Sequence, residues 1–145
     1  MTPCRTFIDF VYIAIFSDYL YGAEDFLKKL KAQGRIFLIT NGTAGIQRKR
    51  IEKLDCEKYF DAVFISDEIG FAKPDKRFFD YAISHIKDFD KEKAVVIGDS
   101  LSSDILGANN SNLTSIWYNT ENFSLTFAKP DFIAKNYEEI LNLIK

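Results

Sequence analysis

The chain has 145 residues, of which 47% are hydrophobic and 28% charged, and its formal net charge is -2. Those values fit one globular domain with a sizeable core and leave no electrostatic footprint for nucleic acid. The two cysteines, Cys4 and Cys56, lie far apart without CxxC spacing. That spacing argues against a zinc site or a disulfide framework and fits a reducing, cytoplasmic setting.

The first twenty residues stand apart from the rest. Phe7 to Phe16 is largely apolar but is interrupted by Asp9 and is too short to span a bilayer. Arg5 is the only basic residue ahead of it and no small-residue cleavage site follows, so a signal peptide is disfavoured. Periodicity leaves a strand and a buried helix both open. Residues 1–20 are therefore set apart as an atypical N-terminal segment, and residues 21–145 as an α/β core.

From Tyr21 the pattern is regular. Ala23, Phe26, Leu27 and Leu30 lie at helical spacing, with acidic residues early, lysines late and Gly34 as the stop. Ile36-Phe37-Leu38-Ile39 reads as a buried strand ending in Thr40-Asn41-Gly42-Thr43, and the next helix carries Ile46, Ile51 and Leu54. Ala62 to Ile65 is a third apolar run, closed by Ser66 and Asp67. A loop, Gly70-Phe71-Ala72-Lys73-Pro74-Asp75, follows, in which Pro74 can open a helix bearing Phe78, Phe79, Ala82 and Ile83. Ala94 to Ile97 suits a strand buried on both faces, stopped by Gly98 and followed by Asp99. Ser102 or Ser103 can cap the helix after it, with Asp104 in the first turn. Thr114 to Tyr118, Asp131 to Ala134 and Tyr137 to Ile144 complete the series as two strands and an amphipathic helix. Strands alternating with helices imply a parallel sheet with right-handed crossovers.

Three strand ends or loops carry complementary polar groups. Thr40 and Asn41 supply a hydroxyl and an amide, and Gly42 is expected to leave backbone N–H groups open for an anion at a helix N-terminus. Lys73 can neutralise a phosphate oxygen and a neighbouring carboxylate. Asp99 and Asp104 are hard oxygen ligands suited to Mg²⁺, which keeps several waters and needs few carboxylates. Ordinary turns, caps and surface charge account for each feature alone. The set, in this order, points to phosphate and metal.

Ile39-Thr40-Asn41-Gly42, Gly70-Phe71-Ala72-Lys73-Pro74 and Ile97-Gly98-Asp99-Ser100 with Asp104 resemble motifs two, three and four of the haloacid dehalogenase (HAD) superfamily. The wording around them, Phe78 to Ala82 and Asp104 to Ala108, is most similar to pyrimidine 5′-nucleotidase-type phosphatases with a helical cap. The resemblance implies a three-layer Rossmann-like core and Mg²⁺-dependent hydrolysis of a small phosphorylated metabolite, a nucleoside monophosphate above all. It implies catalytic roles for Thr40 and Lys73, substrate binding by Thr40, Asn41, Gly42 and Lys73, and metal binding by Asp99 and Asp104. Asp104 would ligate the ion or orient its neighbours from behind. Nucleic acid and membrane are not expected partners, and an oligomer is compatible with the sequence.

The superfamily's first motif, an apolar strand followed by Asp-x-Asp-x-Thr or Ser, occurs nowhere in the chain. Phe7-Ile8-Asp9-Phe10-Val11 comes nearest, with Val11 where the general acid belongs. The helical cap is missing as well. Two accounts follow: a C-terminal part of a longer phosphatase, with residues 1–20 as cap remnant or unrelated sequence, or a degenerate relative whose first strand ends at Asp9. Under either, hydrolysis by this chain is expected to be poor. The missing strand would leave a hole between the second-motif and fourth-motif strands, which the Phe7–Phe16 run or a second chain could fill. The alternatives are a non-catalytic phosphate- or Mg²⁺-binding remnant or subunit, and, ranked lower, a haloacid dehalogenase. His85, Trp117, Tyr118 and the Arg48-Lys49-Arg50 cluster are read as structural or solvated.

Overall fold

Apolar runs without a polar face, separated by amphipathic helices, have one economical arrangement: a parallel sheet covered on both sides. The computed structural model describes residues 10–13 and 22–144, and its strands form such a sheet. The strands are β1 (Phe10–Ile13), β2 (Arg35–Thr40), β3 (Ala62–Ile65), β4 (Ala94–Gly98), β5 (Thr114–Tyr118) and β6 (Phe132–Ala134). All neighbours pair in parallel, in the order β3-β2-β1-β4-β5-β6. The helices are α1 (Ala23–Lys31), α2 (Ala44–Leu54), α3 (Ser66–Ile69), α4 (Lys76–Ser84), α5 (Leu106–Asn110) and α6 (Tyr137–Leu143).

The period of two along each strand divides the core into layers. Ile36 and Leu38 of β2 and Val95 and Ile97 of β4 pack with Phe26 and Leu30 of α1, Ile51 of α2 and Ile140 of α6. Phe37 and Ile39 of β2 and Ala94 and Val96 of β4 pack with Phe78, Phe79 and Ala82 of α4 and Ala108 of α5. The result is the three-layer α/β core expected from the alternating pattern.

The hole between β2 and β4 is filled from within the chain. Phe10 pairs with Arg35 on one side and Ala94 on the other, and Ile13 pairs with Leu38 and Ile97. Strand pairing is thus continuous through the centre of the sheet. Part of the Phe7–Phe16 run, Phe10–Ile13, is strand rather than helix. Asp9 itself, with the rest of residues 1–9 and residues 14–21, lies outside the described residues.

Several local details depart from the sequence reading. Ile46 is 57% exposed, and Gln47 takes the inward position on α2 beside Ile51. Ser66 and Asp67 begin the single turn α3 rather than a loop. Helix α4 starts at Lys76, because the Asp75 side chain accepts the Arg77 N–H and so caps it one residue after Pro74. After β4, Ser100 rather than Ser102 or Ser103 is the cap, accepting the Ser103 N–H, and a π-helical turn (Leu101–Ile105) leads into α5. No helix among the described residues is long and apolar enough to cross a membrane.

Candidate active site

Thr40 ends β2 and Gly98 ends β4, so Asn41 and Asp99 open loops at the carboxyl edge of the sheet. Ligands of open parallel sheets bind at this edge, where strands stop and helix N-termini gather. Lys73 reaches it from the loop between α3 and α4. Its side chain is 4% exposed, and Nζ lies 2.5 Å from Asp104 Oδ1 and 3.4 Å from the Ile39 carbonyl oxygen. Asp104 is 1% exposed, and its second oxygen accepts the Ser100 N–H at 3.2 Å. The buried ion pair therefore ties the Lys73 loop to the Asp99–Asp104 segment, and the bond to the Ile39 carbonyl ties it to the end of β2.

Asn41 does something other than present its amide to an open cradle. Its Oδ1 accepts the Lys73 N–H at 2.9 Å and its Nδ2 donates to the Lys73 carbonyl at 3.0 Å. The side chain thus clamps the Lys73 backbone against the end of β2. The Gly42 N–H, expected to be open, donates to Ser66 Oγ at 2.9 Å, and the Ala44 N–H donates to Asp67 Oδ2 at 2.9 Å. Thr43 makes no side-chain cap, so Asp67 supplies the carboxylate that the N-terminus of α2 favours. Gly42 is there for space and conformation instead: its φ is +142°, and a Cβ would stand 2.7 Å from Gln47 Nε2.

Thr40 is 9% exposed, and its Oγ1 accepts from Gln47 Nε2 at 2.9 Å. Asp99, by contrast, reaches solvent, while Trp117 beneath it is 1% exposed and donates from Nε1 to the Asp99 carbonyl at 2.8 Å. The protein packed around Asp99 and the Asp104 carboxylate push the Asp99 carboxyl up to about 6, against the pull of its own backbone hydrogen bond and of Lys73.

Gly98 makes the approach of these carboxylates feasible. A Cβ there would fall 2.3 Å from Asp104 Oδ2 and 2.5 Å from its Cβ and Cγ, a distance no real atom tolerates. Gly98→Ala is accordingly expected to cost about 1–3 kcal/mol by overpacking. It should also weaken the Lys73–Asp104 contact. Thermal melts check the first effect, and an unchanged melting point would remove the steric argument.

A family model described as haloacid dehalogenase-like hydrolase matches residues 9–112. The chain belongs to this family. Among HAD-like relatives, pyrimidine 5′-nucleotidase YjjG of Escherichia coli (strain K12) is 39% identical over 100 residues, covering 69% of this chain and 44% of the relative. Pyrimidine 5′-nucleotidase PynA of Streptococcus pneumoniae (strain ATCC BAA-255 / R6) is 36% identical over 135 residues, covering 92% of this chain and 57% of the relative. The chain thus spans about half the length of the curated relatives it matches. Among solved HAD-like structures, the hydrolase YfnB from Bacillus subtilis, bound to magnesium, superposes with a TM-score of 0.84 at 30% identity, covering 87% of this chain and 56% of that one.

In this HAD-like site the residues fit a cation of limited protein ligation. Asp99 is an exposed carboxylate crowded by a second negative charge, an arrangement that a divalent ion relieves. Asp104, expected either to ligate or to orient, is 1% exposed with both oxygens hydrogen-bonded, to Lys73 Nζ and to the Ser100 N–H. Among the described residues there is no group of three or more His, Cys, Asp or Glu that could cage a metal. One carboxylate with waters and a phosphate oxygen is the donor set that Mg²⁺ accepts. Gln47, Ser66, Asp67 and Trp117 also shape the site; of these the sequence reading names Ser66 and Asp67 only as the close of a strand and Trp117 only as structural.

Proposed function

We propose that this chain carries the phosphate- and Mg²⁺-binding half of a HAD-type phosphomonoesterase, with a nucleoside monophosphate as the substrate class and a cytoplasmic setting. The observation that carries the reading is the Lys73 ammonium, sunk between Asp104 and the Ile39 carbonyl where the Thr40 and Asp99 loops meet. Among the described residues two of its three N–H groups have acceptors, which leaves the third for a phosphoryl oxygen. Thr40 adds a hydroxyl donor, Asn41 holds the lysine loop, and Asp104 fixes the ammonium. Asp99 holds Mg²⁺, which when bound screens phosphate charge. This division of labour suits phosphoryl transfer, where positioning and charge stabilisation dominate.

Turnover is a separate matter. Ala14, Ile15 and Phe16 follow β1 in sequence, so no carboxylate stands next after Ile13, and Asp9 precedes the strand. That order favours a second reading, binding of phosphate and Mg²⁺ with little or no hydrolysis. Residues 1–20 would then be a substitute strand, or a cap remnant, rather than the family's nucleophile-bearing segment.

Titration calorimetry with inorganic phosphate, with and without Mg²⁺, tests the binding. Phosphate should bind in the presence of Mg²⁺, and Asp99→Asn should remove the Mg²⁺ dependence. Hydrolysis of p-nitrophenyl phosphate should be barely measurable. Replacing residues 1–20 with a strand ending in Asp-x-Asp-x-Thr plus a helical cap should restore it. A folded fusion without turnover, or no phosphate binding at all, would count against the proposal.

A further inference from the structure

We infer that Gln47, itself oriented by Arg50, sets the hydroxyl proton of Thr40 so that Thr40 donates to a phosphate oxygen. This rests on the phosphate reading above and adds two positioning residues to it, one of them from a cluster that the sequence presents as plain solvated charge.

A threonine hydroxyl has one proton and two lone pairs, so what its oxygen accepts decides where the proton can go. Gln47 is 9% exposed and sits with one end of its amide 2.9 Å from Thr40 Oγ1 and 2.6 Å from the Asn41 carbonyl oxygen. A carbonyl can only accept, so the amide end that faces it must be the NH₂ group. The other end agrees: Arg50 Nη1, which can only donate, lies 3.4 Å from Gln47 Oε1. The orientation of the amide is thereby determined from both sides. Gln47 donates into a lone pair of Thr40, and the threonine proton has to find another acceptor.

Among the described residues the acceptor on offer is the Asn41 carbonyl, at 3.4 Å, near the limit for a hydrogen bond. That carbonyl already receives the much shorter bond from Gln47. A phosphate oxygen at the edge is a charged acceptor and wins the proton easily. Gln47 thus acts through Thr40 without touching the ligand, and it occupies the inward place on α2 at the expense of Ile46.

The test is calorimetric titration of the full chain with inorganic phosphate at saturating Mg²⁺, alongside thermal melts. Gln47→Glu keeps the shape but replaces the donor by an acceptor that captures the threonine proton. Gln47→Met keeps the length and removes the donor without competing for the proton. Phosphate affinity should fall by at least about tenfold in Gln47→Glu and by about threefold in Gln47→Met, the range of one charged and one neutral hydrogen bond. A purely structural role would make the two losses track the melting points instead. Equal losses, or none, with phosphate still bound by the unaltered chain overturn the inference and leave the phosphate site standing. Failure of the unaltered chain to bind phosphate overturns both. Should Gln47→Glu not fold, Gln47→Met and Arg50→Met decide the matter, and undiminished affinity in both overturns the inference.

Discussion

Lys73→Met is expected to lower the unfolding free energy by about 3–5 kcal/mol, because it leaves the Asp104 carboxylate buried without its cation. For a chain of this size each kcal/mol moves the midpoint by about 2–4 °C, so the loss is visible in a simple melt. The control is the double variant Lys73→Met with Asp104→Leu. Replacing both members of a buried pair by apolar groups removes the stranded charge, so most of the lost stability should return. If the single substitution is harmless, the pair is not closed to water as described. If the double one is no better, the cost lies in the loop that Asn41 clamps rather than in the charge. Either way phosphate binding should vanish in both variants, which separates the lysine's contribution to folding from its contribution to the site.

The second large effect belongs to Trp117, whose ring fills space between Ile105 and Ala128 and whose N–H holds the Asp99 backbone. Trp117→Ala should cost about 3–5 kcal/mol, the range for emptying a large buried ring site. Trp117→Phe keeps most of the bulk and drops the hydrogen bond, for about 1 kcal/mol. The informative comparison is binding. Loss of the hydrogen bond frees the Asp99 carbonyl to move, so Trp117→Phe should weaken Mg²⁺-dependent phosphate binding beyond what its stability predicts. Binding equal to the unaltered chain would show that Trp117 supports the core and nothing more.

The layers of the fold could be read from the sequence because they depend on pattern alone. Four-residue apolar runs between helical stripes leave little choice but a covered parallel sheet, and Ile36 to Thr40 and Ala94 to Gly98 occupy the places that their runs demand. Lys73 and Asp104 could also be anticipated, as unlike charges in loops that such a sheet brings to one edge. What the sequence hid are partnerships across many residues. Asn41 looks like a turn residue or a ligand until Lys73 is seen bonded to both ends of its amide, 32 positions away. The Gly42 N–H looks available until Ser66 arrives from the neighbouring strand end. Gln47 did leave a trace. With Ile51 and Leu54 it forms an i, i+4, i+7 series, the inward stripe of α2, which Ile46 does not join. A polar residue on this apolar stripe marks a buried hydrogen-bonding role, whereas Ile46 lies off the stripe and is exposed.

Strand β1 has a consequence for handling the protein. Its four residues are hydrogen-bonded on both flanks, to β2 and to β4. Any trimmed version that starts beyond Ile13 would lay bare two facing rows of unpaired amides and carbonyls at the middle of the sheet, each a template for another chain. Such a version should self-associate, and fusion partners are better attached at the far end, after α6.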